Sequence, residues 1–188
     1  MKAKEKLIST AKDLFWKFGI KRVTVEEICE KAEVSKMTFY RNFSNKLEIC
    51  KTVLDGVYKT SFDWYEEIMA KEISFPEKIE QTIFLKLKMA EDISTEFLND
   101  LISLDNTELQ SYLASKQQEM LGKIMADYKT AQEQGDIRKD LNVNLIPMYT
   151  EALRNMISNP ALASMNIPPE DLTREMTNLF FYGIMPRA

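Results

Sequence analysis

Apolar residues recur along this chain at the spacing of an α-helix, and no useful stretch alternates apolar and polar residues as a strand would. In the first segment they fall at i, i+1, i+4, i+7, i+8 and i+11, which places them on one helical face. These residues are Leu7, Ile8, Ala11, Leu14, Phe15 and Phe18. The pattern predicts an all-α fold of about nine helices.

Helix-start and helix-stop signals divide the rest of the chain. Thr24 and Glu27 form a capping box, and Ser35 and either Ser44 or Asn45 suit the N-caps of the next two helices. Further helices are predicted from about residue 74, over 94–104 and over 105–134, where Gly135 ends the last of them. Two final helices are predicted near 143–158 and 169–185.

The chain of 188 residues contains no histidine. This absence excludes Ser-His-Asp and Cys-His catalysis, histidine-based metal sites and imidazole pH switches. The sequence also has no glycine-rich phosphate loop and no metal-ligand spacing. We therefore predict a protein that is not an enzyme and that needs no cofactor and no metal.

The cysteines and the N-terminal segment indicate in which cellular compartment the protein is expected. The N-terminal segment is charged without an apolar stretch, and no apolar run approaches the roughly 20 residues of a membrane span. We expect a cytoplasmic protein without a membrane segment, in which Cys29 and Cys50 are reduced. Two interpretations of this pair remain open: the thiols are buried and inert, or they form a redox switch.

The net charge of −4 is the sum of two regions of opposite sign. Residues 1–60 carry 13 Lys and Arg against 8 Asp and Glu, giving +5, whereas residues 61–188 carry 12 against 21, giving −9. A basic region is typical of a nucleic-acid partner. We predict a basic domain over 1–48 and an acidic helical domain over 49–188, which meet in a long fourth helix.

The segment from Thr24 to Phe43 has the pattern of a helix-turn-helix, whose second helix can enter the major groove of DNA. Phe39 and Phe43 are four residues apart and are expected to face inward, so that the polar positions between them face outward. A charged helical hairpin without a role in DNA binding is the alternative for this segment taken alone.

The run from Gly19 to Lys46 resembles the N-terminal domain of the TetR/AcrR family of transcriptional regulators. The resemblance is carried by Thr-Val-x-x-Ile from Thr24, by Val-Ser-x-x-Thr-x-Tyr-x-x-Phe from Val34, and by a lysine three residues later. It covers about a quarter of the chain, and the remainder agrees with the family only in length and helix number.

Three positions depart from the family pattern. Cys29 stands where alanine is usual, and Met37 where glycine or proline is common. Glu33 occupies a turn position often held by glycine, which predicts strain or another turn geometry there.

The resemblance implies roles for matching residues. The implied DNA-binding set is Thr24, Ser35, Lys36, Met37, Thr38, Tyr40, Arg41 and Lys46. Thr24, Thr38, Tyr40 and Lys46 would contact phosphates, which position a protein on DNA. Lys36, Met37 and Arg41 would face base edges, which carry the sequence information.

The resemblance also implies a homodimer and a pocket for a small molecule in the C-terminal domain. Apolar residues available for a dimer interface are Tyr149, Leu153, Met156, Ile157, Leu179, Phe180 and Tyr182. Pocket candidates are Phe62, Trp64, Tyr65, Phe84, Met89, Tyr112, Met120, Met125 and Tyr128. Residues of either set could instead belong to an ordinary helical core.

We therefore predict a ligand-responsive transcriptional regulator, foremost a repressor that an unidentified small molecule releases from a pseudo-palindromic double-stranded DNA operator. The alternative is an orphan helical protein that binds a ligand or a partner without specific DNA binding. Selective, salt-sensitive binding to DNA would distinguish the two.

Overall fold

The computed structural model describes residues 2–90, 93–102 and 107–149, together with positions 152, 171, 175, 178 and 179. These residues contain helices and no strand, which confirms the all-α prediction. The helices are α1 (Ala3–Phe18), α2 (Val25–Ala32), α3 (Lys36–Asn42), α4 (Lys46–Met69), α5 (Phe75–Ala90), α6 (Thr95–Ile102) and α7 (Thr107–Gln134).

The eighth predicted helix is seen in part, and the ninth lies almost entirely outside the described residues. A short 3-10 helix covers Val143–Leu145, and helical residues continue from it to position 149. Of the predicted helix 169–185, only positions 171, 175, 178 and 179 are described, and each is helical.

Side-chain caps begin the helices close to the predicted positions. The Thr24 hydroxyl accepts the Glu27 N–H at 3.1 Å, while the Glu27 carboxylate accepts the Thr24 N–H at 2.9 Å. Asn45 caps α4 by accepting the Glu48 N–H at 2.9 Å. Ser44, the other candidate, instead donates its own N–H to the Glu48 carboxylate at 2.6 Å.

Internal contacts divide the chain into two compact units. The first unit comprises Met1–Ala70 and Thr82–Gln117, and the second comprises Lys71–Gln81 and Gln118–Ala188. These units are defined by internal contacts alone and do not test where a DNA-binding domain ends. The predicted domain boundary after residue 48 stays a prediction.

The core of the first unit joins the three N-terminal helices to the start of α4. Buried residues from α1, the following turn, α2, α3 and α4 form one apolar cluster, with one residue each from α6 and α7. Its largest fully buried side chains include Phe15, Phe39, Phe43, Leu7 and Ile28. A core of this kind fixes the relative positions of the short helices α2 and α3, which could not be stable alone.

The second unit has a smaller core around the end of α7. Phe75 and Tyr128 pack edge to face with ring centroids 5.1 Å apart. After α7, Gln132 Nε2 donates to the carbonyls of Arg138 at 2.9 Å and Leu141 at 2.8 Å, which ties the following turn to the helix. Among the described residues, no helix is both long enough and apolar enough for a bilayer crossing.

Acid is expected to destabilise the fold through its capping carboxylates. Hydrogen bonds from Thr24, Ser44 and Ser74 hold the pKa values of Glu27, Glu48 and Glu77, respectively, below the ordinary 4.5. A group whose pKa is lower in the folded state binds its proton more readily in the unfolded chain. Its stabilisation is therefore present above pH 4.5 and is lost as the pH falls through the lower, folded-state value.

We therefore expect the free energy of unfolding, measured by urea denaturation, to decrease as the pH falls from about 5.5 to about 3. The triple variant Glu27→Gln, Glu48→Gln, Glu77→Gln keeps an oxygen at each cap but cannot titrate there. Its stability should decline less over the same interval. Parallel pH curves for the two proteins would contradict this assignment.

Candidate nucleic-acid interface

Helices α2 and α3 are joined by a tight turn at Glu33–Ser35. Glu33 adopts the left-handed conformation, with φ 55° and ψ 43°, and the Val34 N–H donates to the Cys29 carbonyl at 2.9 Å. A non-glycine residue in this conformation costs about 1–2 kcal/mol, so the strain predicted at Glu33 is present. Ser35 then caps α3 by accepting the Thr38 N–H at 3.2 Å.

Helix α3 is held in place by its inward side chains. Phe39 has no exposed surface, Phe43 is 2% exposed, and their ring centroids are 5.7 Å apart. Ile28 of α2 is fully buried in the same cluster. The inward orientation predicted for the two phenylalanines is therefore confirmed, and the opposite face of α3 is turned to solvent.

The outward face of α3 carries four of the predicted DNA-binding residues. Met37 is 68% exposed and Tyr40 is 56% exposed, and Lys36 and Arg41 are exposed as well. Arg41 makes no hydrogen bond or ion pair to a described residue. The Tyr40 ring packs edge to face on Phe39, with centroids 5.3 Å apart, which orients the ring of this exposed residue.

Two of the hydroxyl-bearing residues in the predicted DNA-binding set cap helices. Thr24 caps α2 and is exposed, and Ser35 caps α3. The Thr38 hydroxyl lies 3.0 Å from that of Ser35, with either oxygen able to donate. These hydroxyls lie next to helix N-termini, where backbone N–H groups favour an anion.

Lys36 is paired within the protein. Its ammonium lies 2.5 Å from the carboxylate of Glu26 on α2, and the two side chains are 57% and 58% exposed. The Glu26 hydrogen bond raises the pKa of Lys36, and Lys36 lowers that of Glu26. Sequence reasoning did not single out Glu26, although opposite charges on adjacent helices of a helix-turn-helix are a signal that could have found it.

Lys46 binds the protein's own backbone. Its ammonium donates to the carbonyls of Ile20 at 2.8 Å, Lys21 at 3.2 Å and Val23 at 2.8 Å. Burial lowers the pKa of Lys46, and nearby charges, Asp100 among them, oppose that shift. An ammonium has three donors, and all three are engaged here. The predicted phosphate contact of Lys46 stays a prediction.

The two cysteines lie in the core of the first unit. Cys29 is 5% exposed and Cys50 is 1% exposed, and both are free thiols. Burial raises the pKa of both, that of Cys50 to about 12. Since the thiolate is the reactive form, these surroundings favour the inert alternative.

The pocket candidates fall into both units, and the pocket itself stays a prediction. In the first unit Tyr65 is buried, Phe62 and Tyr112 are partly buried, Trp64 is 38% exposed and Phe84 is 63% exposed. In the second unit Tyr128 is buried and Met120 and Met125 are partly buried. The side chain of Met89 lies outside the described part of the chain.

Tyr112 belongs to a polar seam between α4 and α7. Its hydroxyl donates to Asp55 Oδ1 at 2.8 Å and lies 3.3 Å from the Lys51 carbonyl. Lys116 pairs with Asp55 at 3.2 Å, and Lys51 pairs with Glu108 at 2.6 Å. Burial and the Asp55 hydrogen bond raise the pKa of Tyr112, so its hydroxyl stays a hydrogen-bond donor.

Two of the seven dimer candidates lie within the described residues. Tyr149 and Leu179 are exposed apolar side chains, and Leu145 and Met148 beside Tyr149 are exposed as well. The remaining candidates, Leu153, Met156, Ile157, Phe180 and Tyr182, lie outside the described residues. The interface stays a prediction.

Comparison with known proteins agrees with the helix-turn-helix. The sequence model of "Bacterial regulatory proteins, tetR family" matches residues 7–53. The HTH-type transcriptional regulator TtgR of Pseudomonas putida is 35% identical over 54 residues, which are 29% of this chain and 26% of that protein. The chain thus matches about a quarter of the length of this curated relative.

Solved structures extend the similarity of fold beyond residues 7–53. A transcriptional regulator from Saccharomonospora viridis, in complex with choline, has a TM-score of 0.79 at 17% identity, covering 98% of both chains. The fatty acid degradation regulator FadR from Bacillus halodurans has a TM-score of 0.75 at 17% identity, covering 95% of this chain and 94% of that one. The helix-turn-helix within residues 7–53 is thus similar to that of the tetR family of bacterial regulatory proteins, and the all-helical fold is similar to the solved structures of these two regulators.

Proposed function

We propose that this chain is a DNA-binding transcriptional regulator whose recognition helix is α3. The observation that carries the proposal is the exposed face of Lys36, Met37, Tyr40 and Arg41, held outward by the buried Phe39. The match of residues 7–53 to the tetR family supports the same function. The chain has no histidine, which excludes Ser-His-Asp and Cys-His catalysis.

In this proposal the outward residues divide the work of recognition. Thr24, Thr38 and Tyr40 contact phosphates, which fixes the register of α3 in the major groove. The Lys36 ammonium donates to guanine acceptors, and the Met37 side chain packs on a thymine methyl group. Arg41 reaches base edges at the end of the helix.

The proposed active form is a cytoplasmic homodimer on a pseudo-palindromic operator. A two-fold dimer presents its recognition helices about 34–36 Å apart, one turn of DNA. The exposure of the apolar residues Leu145, Met148, Tyr149 and Leu179, all in the second unit, supports self-association through that unit.

Regulation by a small molecule completes the proposal. A ligand that binds the C-terminal region better in one of two conformations shifts the equilibrium between them. We propose that the ligand-bound state binds the operator less well, which makes the protein a repressor. The choline held by the Saccharomonospora viridis regulator supports a small-molecule site in a fold of this kind.

Selection of DNA from a random duplex library, followed by affinity measurement from about 50 to about 200 mM salt, tests the proposal. The logarithm of the binding constant should fall with the logarithm of salt concentration by about 0.9 for each phosphate neutralised. Tyr40→Phe should lower the affinity for all duplexes alike by about fivefold, since it removes one hydrogen bond. Arg41→Ala should cost about 1–3 kcal/mol on the selected duplex and relax preference at one position.

Lys59→Ala is the control, because Lys59 is an exposed lysine of α4 that pairs with Asp63. Its loss removes the same charge as Arg41→Ala and should leave sequence preference unchanged. Binding that is independent of sequence and nearly flat with salt would contradict the proposal. It would favour the helical ligand-binding or interaction protein instead.

A further inference from the structure

The turn between α1 and α2, residues 19–23, is held on its carbonyl side by Lys46. The ammonium donates to three carbonyls of this turn, at 2.8–3.2 Å. Ile20 and Val23 meanwhile bury their side chains in the core. The first residue of α4 therefore fixes the segment that leads directly into Thr24, the N-cap of α2.

The same turn is held on its amide side by Asp100 of α6. The Asp100 carboxylate accepts the Lys21 N–H at 2.8 Å. It approaches so closely that a Cβ on Gly19 would lie 2.6 Å from its Oδ2 atom. A carboxylate that accepts a backbone N–H is one of the stronger hydrogen bonds in proteins.

Helix α6 is itself fastened to the end of α1. The Ser94 N–H donates to the Trp16 carbonyl at 2.9 Å. The Trp16 and Phe97 rings lie 4.5 Å apart, and Phe97 is buried. These contacts hold α6 against α1 and so keep Asp100 next to the turn.

We propose that Lys46 and Asp100 are positioning residues for DNA binding, which act through the turn at residues 19–23 rather than by touching DNA. The two residues and the turn form a unit that we call the turn clasp. It ties the start of α2 to the start of α4, and these two points bracket the recognition helix α3. The inference rests on the proposed function and assigns Lys46 a role other than a phosphate contact.

The salt dependence of Lys46→Ala separates the two roles of Lys46. On the duplex that the wild-type protein selects, affinity should fall about tenfold with an unchanged salt slope, because no phosphate contact is lost. In the free protein, the Lys21 amide should exchange its hydrogen faster. A salt slope lowered by about 0.9, with Lys21 exchange unchanged, would overturn the assignment in favour of a phosphate contact.

Asp100→Ala tests the other side of the clasp, and its effect should oppose simple electrostatics. Loss of a negative charge should by itself strengthen binding to DNA. We expect binding about tenfold weaker instead, with faster Lys21 exchange, because the turn loses its acceptor. Asp100→Asn keeps an oxygen at the same place without its charge, so its affinity should lie between those of Asp100→Ala and the wild-type protein.

Glu96→Gln is the matched control, because it removes a negative charge from the same helix at an exposed position. Its affinity should equal that of the wild-type protein or exceed it slightly. If Asp100→Ala behaves like Glu96→Gln, the inference is wrong. If the Lys46→Ala and Asp100→Ala losses simply multiply in the double variant, the residues do not act through one turn, and the inference is equally wrong.

Failure of the proposed function gives a different result. In that case the wild-type protein selects no duplex, and the positioning role falls with it. Failure of the inference alone leaves selective wild-type binding intact while the variants depart from the pattern described.

Discussion

Phe39→Ala should lower the free energy of unfolding by about 3–5 kcal/mol, the range for removing a buried phenylalanine side chain. Phe39 has no exposed surface and is the one residue within α3 that is buried. Its removal leaves a cavity against Phe43 and takes away the anchor of a helix of 7 residues. Urea denaturation followed by circular dichroism measures the change, which is a large share of the roughly 5–15 kcal/mol typical of a domain.

Met37→Ala is the matched control on the same helix. Since Met37 is 68% exposed, its loss should change stability by no more than about 0.5 kcal/mol. The proposed function adds that Met37→Ala changes base preference. Equal destabilisation by the two substitutions would mean that α3 is not held by its inward face.

Gly19→Ala should destabilise the protein by about 1–3 kcal/mol, because Gly19 has φ 82° and ψ 164°, a region that is nearly exclusive to glycine. The added methyl group would also lie 2.6 Å from Asp100 Oδ2, so that the carboxylate would have to move. In the Asp100→Ala background, the additional loss of stability caused by Gly19→Ala should therefore be smaller than in the wild-type protein. Only the backbone strain then remains. Urea denaturation of the four proteins measures both contributions.

Gly56→Ala provides the control for the glycine itself. Gly56 lies within α4, and a Cβ there would meet no atom within 4 Å. Alanine is favoured over glycine in a helix interior, so this variant should be more stable by about 0.5–1 kcal/mol. A stabilised Gly19→Ala variant would contradict the conformation described for that turn.

The sequence predicted the features that depend on near neighbours. The Thr24–Glu27 capping box and the Ser35 cap each involve residues within about one helical turn. Side-chain hydrogen bonds to the first N–H groups of a helix have few alternative geometries, so residue type and spacing identify them. The inward faces of α1 and α3 followed from helical periodicity for the same reason.

Features that join distant parts of the chain could not be predicted in this way. The resemblance implies a phosphate contact for Lys46, which stays a prediction, and does not reveal that the Lys46 ammonium contacts carbonyls 23 to 26 residues earlier. Asp100 binds a backbone N–H 79 residues away and left no periodic signal. Phe84, a pocket candidate, is 63% exposed. The sequence could not predict this exposure, because hydrophobicity alone does not tell which face of a helix is covered.

In the proposed function, the Glu26–Lys36 ion pair makes recognition by Lys36 an exchange of partners rather than a simple gain. A lysine that leaves a carboxylate for a guanine gives up one attraction for another, so its net contribution to affinity is the difference between two similar quantities. At a mismatched base Lys36 can keep its Glu26 partner and gains nothing. In the proposed function, the pair thus reduces the reward that Lys36 gives to the right sequence without removing the preference for it.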